Sequence, residues 1–274
     1  MTIRLIAFDL DGTILRSDKS ISDRTAEAVR KAAERGCLLV PATGRVIRAI
    51  PETVKSLAGL RCAVTANGAS VVDLSNGSVL FSNLMTEQQT HWLLDRLCGY
   101  DYLVEAFCRG VSYSDRAKMD LLLSQSPPDD LVKMLRFSQT FVENLPEFVF
   151  SHRFRLEKIN MPFLPAKLRK QLWNEIDSME EYSVCSSCPG NIEINAASCS
   201  KGNALRQLCD KLGVPPEQVM AFGDGGNDRS MLEYAGLGVA MGNAEKPLLE
   251  VADCVTESND RDGVAHAIEK FVLS

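Results

Sequence analysis

The chain opens with an apolar run that ends in two aspartates. Residues 3–8 read IRLIAF, and DLDGT follows at 9–13. An apolar run of this length is typical of a strand that is buried on both faces, as in a parallel sheet. Carboxylates at the end of such a strand are costly to bury unless a cation, a ligand or solvent surrounds them. The pattern therefore predicts a buried strand that leads into a polar site.

Helical and strand-like segments alternate after this strand. The segment from Ser22 to Gly36 has apolar residues at helical spacing between a capping serine and a terminating glycine, which predicts a helix. CLLVPATGR at 37–45 and RCAVTANGA at 61–69 each predict a short buried strand followed by a polar loop. Strand, helix and strand in this order are typical of a parallel α/β sheet.

The same alternation returns in the last third of the chain. Residues 201–212 predict a helix that Gly213 ends, and VMAFGDGGND at 219–228 predicts a strand that enters an acidic loop. Further helices and strands follow, down to a last helix in GVAHAIEKFVL. We therefore expect both ends of the chain to form one α/β core, a Rossmann-like parallel sheet with helices on both faces.

The middle of the chain has a different pattern. Thr86 and Gln89 form a capping-box pair before HWLLDRL, and YLVEAFCRGVSYS predicts two strands around Arg109 and Gly110. Polar, helix-prone segments near 116–137 and further mixed elements follow, which indicates an inserted α/β cap domain. The predicted boundaries are 1–83 and 190–274 for the core and 84–189 for the cap.

Composition and charge narrow the class of protein. The chain has 274 residues, of which 45% are hydrophobic and 24% charged, and this indicates a folded globular protein. The net charge of -6 and the lack of a basic block argue against nucleic acid as a partner. No apolar run of about 18 residues and no signal-like start occur, so no membrane association and a cytoplasmic location are expected. Nine scattered cysteines, including the close pair Cys185 and Cys188, are interpreted as reduced structural thiols.

Polar residues follow several of the predicted core strands. In an open α/β sheet, ligands bind beyond the carboxyl ends of the strands. The residues at these ends are Asp9 and Asp11, Thr43 with Gly44 and Arg45, Asn67 with Gly68, and the GDGGND loop at 223–228. Asp9, Asp11 and Asp224, with Asp228 close by, would repel one another if they gathered without a cation. Because oxygen ligands suit a hard ion that keeps several waters, the sequence predicts Mg²⁺.

Each of these residues has a predicted role in phosphoryl transfer. Asp9 is predicted as metal ligand and nucleophile, and Asp11 as the acid that protonates the leaving group and later the base that activates water. Thr43 and Lys201 are predicted to bind the phosphoryl group. The remaining candidates for substrate contacts are the amides of Leu10 and Gly44 and the side chains of Arg45, Asn67 and Asn227.

These residues, in this order, resemble the four motifs of the haloacid dehalogenase superfamily of phosphohydrolases. DLDGT is similar to the first motif, ATGR with Thr43 to the second, Lys201 to the third and GDGGND to the fourth. The insertion and TANGA at 65–69 resemble the Cof-type branch with its large α/β cap. The resemblance implies that Asp9 is phosphorylated, that Asp224 and the backbone carbonyl of Asp11 bind Mg²⁺, and that Asn227 and Asp228 support them.

The resulting hypothesis is a Mg²⁺-dependent phosphatase of small phosphorylated metabolites, with sugar phosphates as the favoured class. Alternatives are a phosphomutase, a flavin mononucleotide or pyridoxal phosphate phosphatase, and a non-enzymatic phosphate-ligand sensor. Asp11 argues against the sensor, because binding alone needs no carboxylate directed at a leaving group. In the cap, Arg109, Tyr113 and Arg116 are candidates for contacts with the leaving group of the substrate. An equally good interpretation is that these three residues are simply exposed on the surface.

Overall fold

The computed structural model describes residues 2–274 except 128, 130, 131, 134, 136–138 and 189. These residues form two units. The first comprises the chain up to Arg45, Ile50–Ser82, and the chain from Ser200 onward. The second comprises Val46–Ala49 and Asn83–Cys199. One unit is thus built from both ends of the sequence.

A parallel sheet forms the centre of the first unit. The strands of this unit are β1 (Leu5–Phe8), β2 (Leu38–Pro41), β3 (Cys62–Thr65), β4 (Ser70–Asp73), β5 (Val79–Ser82), β12 (Val219–Gly223), β13 (Leu237–Ala240) and β14 (Cys254–Val255). Five of them pair in the order β14-β13-β12-β1-β2, and every pair is parallel. All residues of β1 and β12 are buried, as their apolar sequences require. The predicted Rossmann-like sheet is confirmed.

Strand β3 differs from its prediction. The sequence predicts it as a further strand of the parallel sheet, yet its continuous ladder is antiparallel to β4, which in turn pairs with β5. The isolated parallel bridges Leu39–Leu60 and Ala42–Val64 connect this region to β2, and the Thr43 N–H donates to the Val64 carbonyl oxygen at 2.9 Å. The backbone groups of a strand point alternately to its two sides, so the antiparallel ladder with β4 uses one edge of β3 and leaves the other edge to these parallel contacts.

Two helices of the first unit have start or stop signals that the sequence predicted, and both follow them. The helices of this unit are α1 (Asp23–Glu34), α2 (Glu52–Lys55), α7 (Lys201–Leu212), α8 (Arg229–Tyr234), α9 (Lys246–Leu249) and α10 (Gly263–Ile268), which a π-helical turn Glu269–Leu273 continues. The Ser22 hydroxyl accepts the Thr25 N–H at 3.0 Å and caps α1. Gly213 ends α7 in the left-handed conformation, with φ of 63°.

The second unit contains a mixed sheet of six strands. Its elements are α3 (Glu87–Cys98), β6 (Glu105–Cys108), β7 (Val111–Asp115), α4 (Arg116–Ser124), β8 (Gln139–Val142), α5 (Leu145–Ser151), β9 (Lys158–Met161), α6 (Ala166–Asp177), β10 (Tyr182–Cys185) and β11 (Ile192–Ala196). The strand order is β10-β11-β9-β6-β7-β8, and among the described pairs β7 and β8 are parallel and the others antiparallel. Thr86 and Gln89 form the predicted capping box. Each helix among the described residues is too short or too polar to cross a membrane.

The second unit extends past position 189, the predicted end of the cap. Strand β11 pairs with β10 and β9, so the second unit extends to Cys199. The apolar side chains of Ile192 and Ile194 alternate with the polar ones of Glu193 and Asn195, and only pairing with β9 and β10 turns this short alternation into a strand. Part of the predicted helical region 116–137, beyond α4, lies outside the described residues, as does position 189.

Candidate active site

The ends of β1 and β12 lie side by side. Phe8 is the register partner of Phe222, and the Asp9 N–H donates to the Phe222 carbonyl oxygen at 3.1 Å. Because the strands are parallel, Asp9 and the loop after Gly223 leave the sheet at the same edge. The structure therefore brings together two strand ends that are separated by most of the sequence.

Lys201 lies buried between two carboxylates. Its Nζ is 2.7 Å from Asp9 Oδ1 and 2.6 Å from Asp228 Oδ1. Burial by itself lowers the pKa of Lys201, but Asp228 and Asp9 outweigh that effect and raise it above its ordinary value. The lysine is at the first residue of α7, where the Ser200 hydroxyl caps the helix by accepting the Asn203 N–H at 3.1 Å. Lys201 is thus a fixed cation.

Asp228 also stabilises the acidic loop that contains it. Its Oδ2 accepts the N–H groups of Asp224 and Gly225, both at 3.0 Å. With one oxygen on Lys201 and the other on the loop backbone, the carboxylate of Asp228 is fully buried and satisfied. Asp224 is held separately, because the Thr13 hydroxyl donates to its Oδ1 at 2.8 Å.

Three carboxylates form a cluster that could hold a metal ion. Each of Asp9, Asp224 and Asp228 offers an oxygen, and these oxygens all lie within 4.8 Å of one another. Burial raises the pKa of Asp9 to about 8 against the opposing effect of Lys201, and raises that of Asp224 to about 6 with help from Asp228. Three carboxylates and one ammonium leave a charge of -2 when all are ionised. A divalent cation fits both this charge and the oxygen ligands.

The carboxylate of Asp11 is held apart from this cluster by two cations. Arg45 binds it with both ends of its fork, from Nε to Oδ2 at 2.7 Å and from Nη2 to Oδ1 at 2.8 Å. Lys19 Nζ is 2.9 Å from Oδ1. Burial works to raise the pKa of Asp11, but these partners lower it to about 2. Arg45, predicted as a substrate contact, binds the predicted acid/base residue here.

The other predicted site residues are buried or hydrogen-bonded near these carboxylates and their loops. Thr43 is buried, its N–H donates to the Val64 carbonyl at 2.9 Å, and its hydroxyl accepts the Arg45 N–H at 3.1 Å. Leu10 is buried and Gly44 half-buried. Asn227 Nδ2 donates to Asn67 Oδ1 at 3.2 Å, so these two predicted substrate contacts bind each other.

Two contacts near the site were not predicted. One is Lys19 on Asp11, for which no spacing signal exists in the sequence. The other is Asn243, whose Nδ2 donates to the Gly12 carbonyl at 2.8 Å and so holds the turn after β1. The sequence offers GN at 242–243 as an ordinary turn after β13, and only the fold shows which loop that turn meets.

A protein-family model and several known proteins match nearly the whole chain. The family model described as haloacid dehalogenase-like hydrolase matches residues 6–268. The 5-amino-6-(5-phospho-D-ribitylamino)uracil phosphatase YcsE of Bacillus subtilis is 32% identical, over 99% of this chain and 96% of its own length. The pyridoxal phosphate phosphatase YbhA of Escherichia coli is 31% identical, over the whole of both chains. A haloacid dehalogenase-like hydrolase structure from B. subtilis has a TM-score of 0.85 and 28% identity, over 98% of this chain and 100% of that one.

A parallel α/β core with aspartates and a buried lysine at its strand ends, together with a second α/β unit, defines the class of protein. The chain belongs to the haloacid dehalogenase-like hydrolase family, in its Cof-type branch. It is a phosphatase, an enzyme that hydrolyses phosphoric monoesters.

Proposed function

We propose that the enzyme hydrolyses small phosphorylated metabolites in a Mg²⁺-dependent reaction that passes through phosphorylated Asp9. The observation that carries the proposal is the position of Asp9. It lies at the end of a central strand, within 4.8 Å of two further carboxylates and 2.7 Å from the Lys201 ammonium. A carboxylate that is fixed in position beside a cationic partner is suited to attack an anionic phosphate.

The site offers a ligand set for the metal. Asp9, Asp224 and the backbone carbonyl of Asp11 would hold Mg²⁺, with Asp228 supporting them through the loop backbone. When bound, the ion offsets the negative charges of the phosphate and of the carboxylates. Thr13 keeps Asp224 directed at this position through its 2.8 Å hydrogen bond.

The residues of the chain supply the nucleophile, the proton and the phosphate contacts. An Asp9 oxygen forms a bond to phosphorus while the bond from phosphorus to the ester oxygen breaks, and Asp11 gives that oxygen its proton. Water then attacks phosphorus, its proton passes to Asp11, and the bond to Asp9 breaks to release inorganic phosphate. Thr43 and Lys201 hold the phosphoryl oxygens in both steps.

The surroundings of Asp11 suit its proposed role as a base. Bound to Arg45 and Lys19, with a lowered pKa, the carboxyl is ionised and so in the state that a base requires. As an acid it must carry a proton, and a protonated carboxyl no longer forms two charged pairs. The proposal therefore includes release of Asp11 from Arg45 before the first step.

The substrate class rests on what relatives do. One relative acts on a phosphorylated ribitylaminouracil and another on pyridoxal phosphate. Both are small metabolites that contain a phosphate ester and a nitrogen heterocycle. We infer a substrate of this general kind, and sugar phosphates, which the sequence favoured, remain within the proposal.

A screen of phosphorylated metabolites for phosphate release, with Mg²⁺ and with chelator, tests the proposal. We expect release that chelator abolishes and that Asp9→Asn loses, with phosphoenzyme detectable by mass spectrometry in the parent only. The control is Asp210→Asn, an exposed carboxylate near the end of α7, which should behave as the parent. Near-parental turnover by Asp9→Asn would contradict the mechanism.

A further inference from the structure

The loop after β3 has an unusual backbone. Ala66, Asn67 and Gly68 follow one another with φ values of 50°, 60° and 98°. Left-handed residues usually occur singly, and a non-glycine residue in this region costs roughly 1–2 kcal/mol, less for asparagine. A folded chain keeps such a conformation only where the surroundings enforce it, and these places are often functional. Two non-glycine residues in sequence therefore call for an explanation.

The backbone of this loop is fixed to the loop that contains Thr43. The Ala66 N–H donates to the Arg45 carbonyl at 2.9 Å, and the Asn67 N–H donates to the Thr43 carbonyl at 3.0 Å. The left-handed conformation directs consecutive N–H groups to one side, so both reach the same neighbouring loop. The phosphate-binding turn, residues 43–45 with the proposed phosphoryl contact Thr43, is thus held in place by residues 66 and 67.

The same loop lies against the start of α7. A Cβ atom on Gly68 would lie 2.2 Å from the Ser200 carbonyl oxygen and 3.1 Å from the Lys201 nitrogen. Only glycine permits this approach. The loop therefore fixes the distance between the phosphate-binding turn and the helix that begins with Lys201.

The side chain of Asn67 extends the connection to the acidic loop. Its Oδ1 accepts a hydrogen bond from Asn227 Nδ2 at 3.2 Å, and Asn67 is 4% exposed. Asn227 lies between Asp224 and Asp228 in the sequence, and Asp228 already braces that loop from within. Asn67 thus joins the acidic loop, which its side chain contacts, to the phosphate-binding turn, which its backbone N–H contacts.

We propose that Asn67 is a positioning residue that couples metal binding to phosphate binding. It acts through Asn227, by keeping the acidic loop in register with the turn at Thr43. The proposal rests on the function proposed above and goes beyond it. It predicts that Mg²⁺ and inorganic phosphate strengthen each other's binding, and that much of this mutual effect disappears without the Asn67 amide.

The experiment is calorimetric titration of the metal-free enzyme with Mg²⁺, without and with saturating inorganic phosphate. Asn67→Gly keeps the left-handed backbone and removes the acceptor, whereas Asn67→Asp keeps an acceptor oxygen. In the parent, phosphate should tighten Mg²⁺ binding about tenfold. Asn67→Gly should bind Mg²⁺ about tenfold more weakly than the parent, because a residue that supports metal ligands is lost. Saturating phosphate should change the Mg²⁺ affinity of this variant by less than about twofold.

The matched control is Asn76→Gly, the same substitution in an exposed turn of the first unit, where the Asn76 side chain accepts the Ser78 N–H. It should retain the parental coupling, and Asn67→Asp should retain most of it. Circular dichroism and a melting curve establish that each variant is folded. Parental affinity and coupling in folded Asn67→Gly would overturn the inference. Lack of Mg²⁺ binding by the parent would instead overturn the proposed function.

Discussion

Replacement of Lys201 by methionine gives the most direct measure of the electrostatics of the site. The change keeps most of the length of the buried side chain and removes the ammonium that lies 2.7 Å from Asp9 and 2.6 Å from Asp228. Removing one member of a buried ion pair costs about 3–5 kcal/mol, because it leaves a buried charge without a partner. Lys201 is fully buried, so solvent screening does not reduce this figure.

We expect Lys201→Met to lower the unfolding temperature of the first unit by roughly 10 °C, measured by differential scanning calorimetry without added metal. Mg²⁺ should stabilise this variant by more than it stabilises the parent, because three carboxylates then lack their ammonium. Phosphatase activity should be lost, since Lys201 also binds the phosphoryl group.

The control is Lys211→Met in the last turn of the same helix, where the side chain is exposed and its ammonium is 6.0 Å from the centre of the Phe81 ring. Exposed substitutions of this kind change stability by less than about 0.5 kcal/mol. If the Lys201 and Lys211 variants unfolded at the same temperature, the buried ion pairs of Lys201 with Asp9 and Asp228 would not exist in solution.

Two further predictions concern single side chains in each unit. Gly12→Ala should abolish Mg²⁺ binding in titration calorimetry, because the new Cβ atom would lie 2.2 Å from Asp224 Oδ2. The control is Gly36→Ala, which is also at positive φ but has open space around it and should bind Mg²⁺ normally. Normal Mg²⁺ binding by both variants would contradict the reasoning. Burial raises the pKa of Glu105 from 4.5 to about 7, so the folded state holds this proton more tightly than the unfolded state does. The stability that it contributes is complete below about pH 4.5 and falls by about 3 kcal/mol as pH rises through 7. Urea unfolding at about pH 5 and about pH 8 should show a smaller loss of stability in Glu105→Gln than in the parent, because Asp9 and Asp224, whose pKa values are also raised, contribute to the loss in both. Equal losses in the two proteins would refute the prediction.

Local patterns in the sequence were sufficient for much of the core. Ser22 and Gly213 mark helix ends through hydrogen bonds and backbone conformations that involve only near neighbours, and the structure confirms both. The apolar runs of β1 and β12 predict buried parallel strands for the same reason. Short strands such as β4 and β11 carry weak periodicity and become strands only when a partner supplies hydrogen bonds, so the sequence did not reveal them or the extent of the second unit.

The order of the polar motifs determined which residues could meet, because parallel strands place their carboxyl ends at one edge of the sheet. The order of the motifs could not determine which side chains form pairs at the carboxyl ends of the strands. The carboxylate of Asp11 accepts Arg45, which is 34 residues away, and Asn67 accepts Asn227, which is 160 residues away. Such contacts depend on distances of a few tenths of an ångström between separate loops. Packing of the whole unit sets those distances, and no local stretch of sequence specifies them.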